Sequence, residues 1–142
     1  MQIRAYSEED LNAVIALWRR CGLLTPQNDP AKDIERKLKI DRDLFLVGSC
    51  MSNNGTELIA TVMGGYEGHR GWINYLAVKP EQQRKGYGQR LMQAIEDRLK
   101  SRGCPKINLQ VRTANTDVLS FYAAIGYRND NVVGLGKRLE YD

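Results

Sequence analysis

At 142 residues the chain has the length of a single domain covering 1–142, enough to bury a core without disulfides. Its composition, 42% hydrophobic and 27% charged, is that of a globular protein and excludes collagen-like and disordered classes; no apolar run reaches membrane-spanning length. A net charge of +4 suits an anionic ligand, but its lysines and arginines are too scattered to point to nucleic acid. Cys21, Cys50 and Cys104 are odd in number and lack Cys-x-x-Cys spacing, which argues for reduced, buried thiols. With His69 as the only histidine, a multi-histidine metal site is excluded, and no metal is expected. The start, Met1-Gln2-Ile3-Arg4, has no signal-peptide pattern, so the expected location is cytoplasmic with no membrane partner.

In chain order, Ile3 to Tyr6 reads as a first strand. Ser7-Glu8-Glu9-Asp10 supplies a hydroxyl cap and an acidic first turn for a helix with Leu11, Val14, Ile15, Trp18 and Cys21 on one face, closed by Gly22. Asp29-Pro30 starts a second helix carrying Ile34 and Leu38 inward. Leu44–Met51 and Glu57–Tyr66 form a hairpin around Ser52-Asn53-Asn54-Gly55. Gly64 and Gly65 read most simply as ending the second of these strands, the alternative being a close backbone approach. The apolar run Ile73 to Val78 stops at Pro80, and Leu91, Met92, Ile95 and Leu99 then recur at helical spacing up to Gly103. Lys106 to Arg112 alternates as a fifth strand, Asp117 to Ile125 is a last helix, and Tyr127 to Glu140 can hold two short strands. The order βααβββαβαββ specifies an α/β fold, a mixed sheet with helices on both faces.

The chemistry concentrates between Val78 and Leu91. Strand, basic glycine-containing turn and helix follow one another there, leaving the first helical N–H groups unpaired and the dipole's positive end pointing at the turn. Gly86 and Gly88 let an anion approach the backbone, and Arg84 and Lys85 add charge; the residues alone fit either a pyrophosphate site or an ordinary connection. The nucleotide-triphosphatase loop is absent, since Gln89 and Arg90 follow the glycines, and the dinucleotide pattern fails at Leu91.

The spacing Gln83-x-x-Gly86-x-Gly88 resembles the acetyl-coenzyme A signature of the GNAT family of N-acetyltransferases. Asn115, Phe121-Tyr122 and Ile125-Gly126-Tyr127 resemble that family's second segment. The runs Met63 to Gly71 and Gly136 to Leu139 are similar to its YpeA-like bacterial subgroup. The resemblance implies a single-domain GNAT fold, a mostly antiparallel sheet of six to seven strands with the fourth and fifth splayed apart to admit acetyl-CoA. It implies that backbone groups of Leu76, Ala77 and Val78 align the pantetheine arm, and that Gln83, Arg84, Lys85, Gly86, Tyr87 and Gly88 hold the pyrophosphate. Asn115 would contact the cofactor or cap the helix after it, and Leu24 to Asn28 would line the acceptor pocket.

Acetyl transfer to an amine requires a neutral amine, a stabilised oxyanion and a stabilised thiolate. Tyr122, a phenol with an ordinary pKa of about 10, is the expected proton donor to the thiolate. Many relatives carry a Glu where this chain has Asn74, which cannot act as a base; Glu67, His69 and Tyr66 are the nearest titratable or hydroxyl groups in sequence, acting directly or through water, with deprotonation by ordered water alone as the alternative. The expected substrate is a small-molecule or peptide amine that attacks directly in a ternary complex, and both monomer and homodimer stay open. A catalytically weak acetyl-CoA binding or sensing module is the competing reading, because the loop is intact while the base is missing.

Overall fold

Ser7 and Asp10 show how closely the first helix follows its sequence. The Ser7 hydroxyl accepts from Glu9 N–H, Asp10 reaches back to Ser7 N–H at 2.9 Å, and one 3-10 turn leads into α1 (Leu11–Arg20). Asp29 caps α2 (Pro30–Leu38) by accepting from Ala31 and Lys32 N–H, with proline at the first helical position. The computed structural model describes residues 1–142, and its remaining elements are β1 (Gln2–Ala5), β2 (Phe45–Ser52), β3 (Gly55–Tyr66), β4 (Gly71–Val78), α3 (Tyr87–Ser101), β5 (Ile107–Asn108) and α4 (Thr116–Ala124).

The five strands lie in sequence order, antiparallel except for the parallel β4–β5 pair. Helices cover both faces. On one, Val14, Leu17 and Trp18 of α1 and Ile34 of α2 pack with Phe45, Val47, Met63 and Ala77; on the other, Leu91, Met92, Ile95 and Leu99 of α3 and Tyr122 of α4 pack with Leu46, Ile59, Val62 and Ile73. Alternation along β2 and β3 feeds both cores, which is why these strands read as nearly continuous apolar runs.

Four expectations are corrected. The sheet has five strands, not six to seven, because Tyr127 to Asp142 forms none. The alternating apolar residues of that segment meet no face to bury them, with Val133, Leu135 and Leu139 being 84%, 91% and 90% exposed. Its polar side chains hold it to α2 and the loop before it instead, Asp142 pairing with Arg36 at 2.6 Å and Arg138 bonding Asn28. The fifth strand shrinks to Ile107–Asn108, since only Gly71↔Ile107 and Trp72↔Asn108 are paired. Gly64 does not end β3, which runs on to Tyr66: a Cβ at Gly64 would lie 2.7 Å from Ile95 Cγ1, so the glycine lets α3 settle on the sheet. All three cysteines are free and half-buried rather than enclosed.

Candidate functional site

β4 is paired with β3 at both ends of its length, on either side of Tyr75 and Leu76, but with β5 only at its first two residues, which leaves the edge from Ile73 to Val78 open. The register against β3 slips where Thr61↔Ala77 is followed by Met63↔Asn74, so β4 carries one extra residue. Tyr75 absorbs it at φ +51, in the left-handed region. Lys79 N–H bonds Ile59 O on β3, and alternation from there points Ala77 toward β3 and Leu76 N–H away from it. Tyr75 C=O accepts from the Thr61 hydroxyl at 2.9 Å, so the Leu76 N–H at the other end of that trans peptide points away from Thr61. Val78 C=O, on that same edge, accepts from Gln83 Nε2 at 2.9 Å and from the Cys21 thiol at 3.4 Å. Gln83 therefore folds the loop back onto the strand.

Past β4 the backbone is left-handed at Arg84 (φ +64) and Gly86 (φ +83), a pairing that turns successive N–H groups into one concavity. Gly86 is also the residue before α3 and offers no side-chain cap, so the first N–H groups of that helix face the concavity without a side-chain acceptor. No atom lies within 4 Å of a Cβ placed on Gly86, and the need for glycine there is conformational. Gly88 has a different reason. Its Cβ would meet the Phe121 ring at 3.3 Å, so the missing side chain seats α4 against the start of α3. Lys85 reaches Gln82 at 3.0 Å, while Arg84 makes no hydrogen bond or ion pair within the protein.

Tyr122 lies on α4, its ring buried among Phe121 and Tyr127 in edge-on contacts at 5.1 and 5.5 Å. Burial pushes the phenol up to about 12. Its hydroxyl has no hydrogen-bond partner in the protein and is nevertheless not sealed off, since no enclosed side-chain polar atom lacks a partner. A protonated donor is thus free for a ligand. Asn115 caps α4, accepting from Val118 N–H at 3.3 Å.

Glu67 and His69 sit on the β3–β4 turn, which enters β4 at Gly71, about 13 Å of extended chain before Tyr75. Glu67 accepts from the backbone N–H groups of Arg70 and of His69, which hold its carboxyl below the usual range. The structure joins these two residues in one turn and does not bring them to the bulge. The groups that do surround Tyr75 come from other elements: Trp18 of α1 stacks on its ring at 3.7 Å and Asp33 of α2 accepts from its hydroxyl at 2.7 Å. Burial, with Asp33 beside it, raises the Tyr75 phenol well above its ordinary value, so it is a hydrogen-bond donor and no base.

Residues 11–127 match the acetyltransferase (GNAT) family. The chain belongs to this family. Similar GNAT-like folds among solved structures include Naa20 of Chaetomium thermophilum in complex with a bisubstrate analogue, with TM-score 0.71, 24% identity, and 90% of this chain and 71% of that chain covered. An aminoglycoside 6'-N-acetyltransferase of Acinetobacter haemolyticus gives TM-score 0.71 at 18% identity over 99% of this chain and 100% of the other. Glucosamine-6-phosphate N-acetyltransferase of Arabidopsis thaliana gives 0.68 at 21% identity over 98% of both chains. In this GNAT chain the sequence pattern pointed to the loop, Tyr122 and Asn115, placed Trp18 only on a buried helix face, and gave no sign of Thr61, Asp33 or the bulge at Tyr75. An apolar run with one tyrosine carries no signal of a left-handed residue, and pairs such as Trp18 and Thr61 are made only by the tertiary fold.

Proposed function

We propose that residues 1–142 form one N-acetyltransferase domain that moves the acetyl group of acetyl-CoA to a primary amine by direct attack in a ternary complex. The observation that carries the reading is the open edge of β4, with the bulge at Tyr75 along it and the left-handed Arg84–Gly86 concavity at its end. In this reading the concavity and the N-terminus of α3 hold the pyrophosphate, with Arg84 free to pair with it, and the open edge aligns the pantetheine beside Leu76, Ala77 and Val78. Asn115 holds the start of α4 beside the cofactor. An amine and a nucleotide thioester are the expected ligands, without metal, nucleic acid or membrane. The likeness to the YpeA-like bacterial subgroup extends the proposal to a cytoplasmic bacterial enzyme, as monomer or homodimer.

The neutral amine attacks the thioester carbon, forming the C–N bond, and the carbonyl oxygen takes up negative charge opposite Leu76 N–H. Collapse breaks the C–S bond, the sulfur leaves with the electron pair, and the amine's extra proton goes to water. Neither Asn74 nor the Tyr75 phenol can accept that proton, and Glu67 and His69 stand away from the bulge. Tyr122 donates a hydrogen bond to the departing sulfur. With a phenol at about 12 and a thiol near 8.5, full transfer would be uphill by roughly 5 kcal/mol, so the hydrogen bond stabilises the thiolate and solvent supplies its proton.

The test is thiol release from acetyl-CoA on purified protein across a panel of small amines and peptides. Amine-dependent release with formation of the acetylated amine supports the enzyme. Tight acetyl-CoA binding with no turnover on any class of amine would favour the binding or sensing module.

A further inference from the structure

The strained residue of β4 is held at three separate points. The Tyr75 ring is stacked on Trp18, its hydroxyl is bonded to Asp33, and its carbonyl accepts from Thr61. A non-glycine residue in the left-handed region persists only where surroundings over-determine it. Of the three holds, the last fixes the peptide plane itself, because C=O of Tyr75 and N–H of Leu76 are the two ends of one rigid unit. Thr61 is fully buried, and its hydroxyl has one proton to give. The buried Trp18 indole N–H donates to that oxygen at 2.9 Å, which commits the hydroxyl proton to Tyr75 C=O. A directed chain therefore runs from Trp18 Nε1–H to Thr61 Oγ1–H to Tyr75 C=O, ending on the peptide whose other end faces the open edge.

We infer that Trp18 and Thr61 are positioning residues for acyl transfer: their hydrogen-bond chain holds the Leu76 N–H at the angle that the thioester oxygen needs. The inference rests on the acetyl-CoA reading given above. Neither side chain touches the cofactor; both act through the Tyr75–Leu76 peptide. A donor aimed by covalent planarity and two buried hydrogen bonds needs little reorganisation as charge develops, and such aim is where electrostatic stabilisation gains its effect.

The test compares wild type, Thr61→Ser, Thr61→Val and the double variant Trp18→Phe with Thr61→Val. The double variant matters because Thr61→Val alone strands the buried indole N–H as well as Tyr75 C=O and can fail to fold, whereas the double variant leaves only that carbonyl without its donor. Two readouts need no acceptor: the ratio of CoA to acetyl-CoA dissociation constants by calorimetry, and the infrared band of acetyl-CoA labelled with carbon-13 at the thioester carbonyl. Wild type and Thr61→Ser are expected to prefer acetyl-CoA and to lower the carbonyl frequency on binding. The double variant is expected to bind CoA as wild type does, to lose about fivefold of the acetyl-CoA preference, and to leave the band near its free position. An unchanged band and ratio in the double variant, or an equal loss of affinity for both ligands, would overturn the positioning role. If wild type binds neither ligand, the proposed function itself falls, and this inference with it.

Discussion

Replacing Tyr122 by phenylalanine isolates one atom. The hydroxyl makes no hydrogen bond within the protein and the ring packs against Phe121 and Tyr127, so Tyr122→Phe leaves no orphaned partner and keeps the edge-on contacts. Stability should therefore change by no more than about 0.5 kcal/mol. Affinity for acetyl-CoA should stay within about twofold, because the donor acts on a sulfur that becomes charged only as the C–S bond breaks. A hydrogen bond to a charged group contributes roughly 1.5–3 kcal/mol, which converts to a fall in kcat of about 10- to 150-fold. The burial that pushes this phenol up to about 12 also keeps it protonated throughout the working range, so Tyr122 imposes no loss of rate as pH rises to 10. The assay is steady-state thiol release with an acceptor from the amine panel, beside thermal unfolding and calorimetry. Wild-type kcat in the variant would refute the role, and so would a loss confined to KM.

Gly64→Ala should destabilise the protein by about 1–3 kcal/mol and lower Tm by several degrees, because the new Cβ lies 2.7 Å from Ile95 Cγ1 and α3 must lift; an unchanged Tm by calorimetry would contradict the close packing. Stability should also fall between pH 10 and 12. The Tyr122 phenol is raised by burial in the folded state, so unfolding releases its proton above the ordinary value of 10, and a stabilisation of about 2–3 kcal/mol that is complete below pH 10 is lost as pH approaches 12. Tyr75 and Tyr127, also raised, act in the same direction. Denaturant titrations at pH 9 and 11.5 measure the drop, and Tyr122→Phe should lessen it.

What the sequence made legible was local. Ser7 with Asp10, and Asp29 with Pro30, announce helix starts through groups a few residues apart, and Asn54-Gly55 announces a reversal; each meets its partners within one turn. The left-handed loop was legible through Gly86, whose positive φ has a residue-type signature, but Arg84 at φ +64 has none. Gly64 and Gly88 were visible as glycines, yet the neighbours that explain them, Ile95 and Phe121, become neighbours only when α3 and α4 pack. Tyr75 defeats pattern reading for a similar reason, since its strain is held by Trp18, Asp33 and Thr61 from three elements distant in sequence. The segment after Tyr127 alternates as a strand does, but alternation specifies a strand only where a sheet face or edge receives it, and here ion pairs from Glu140 and Asp142 to Arg36 of α2 hold the chain instead.

The central claim is that the concavity between Arg84 and α3, continued along the open edge of β4, is an acetyl-CoA site. Isothermal titration of the folded protein with acetyl-CoA, alongside Gly86→Glu, tests it most directly. Wild type is expected to bind with a dissociation constant in the micromolar range or tighter. No binding is expected for the variant, whose carboxylate would stand where the pyrophosphate binds and whose backbone must hold a side chain at φ +83. Absence of binding to a folded wild-type sample, or equal affinity in a folded Gly86→Glu protein, would contradict it.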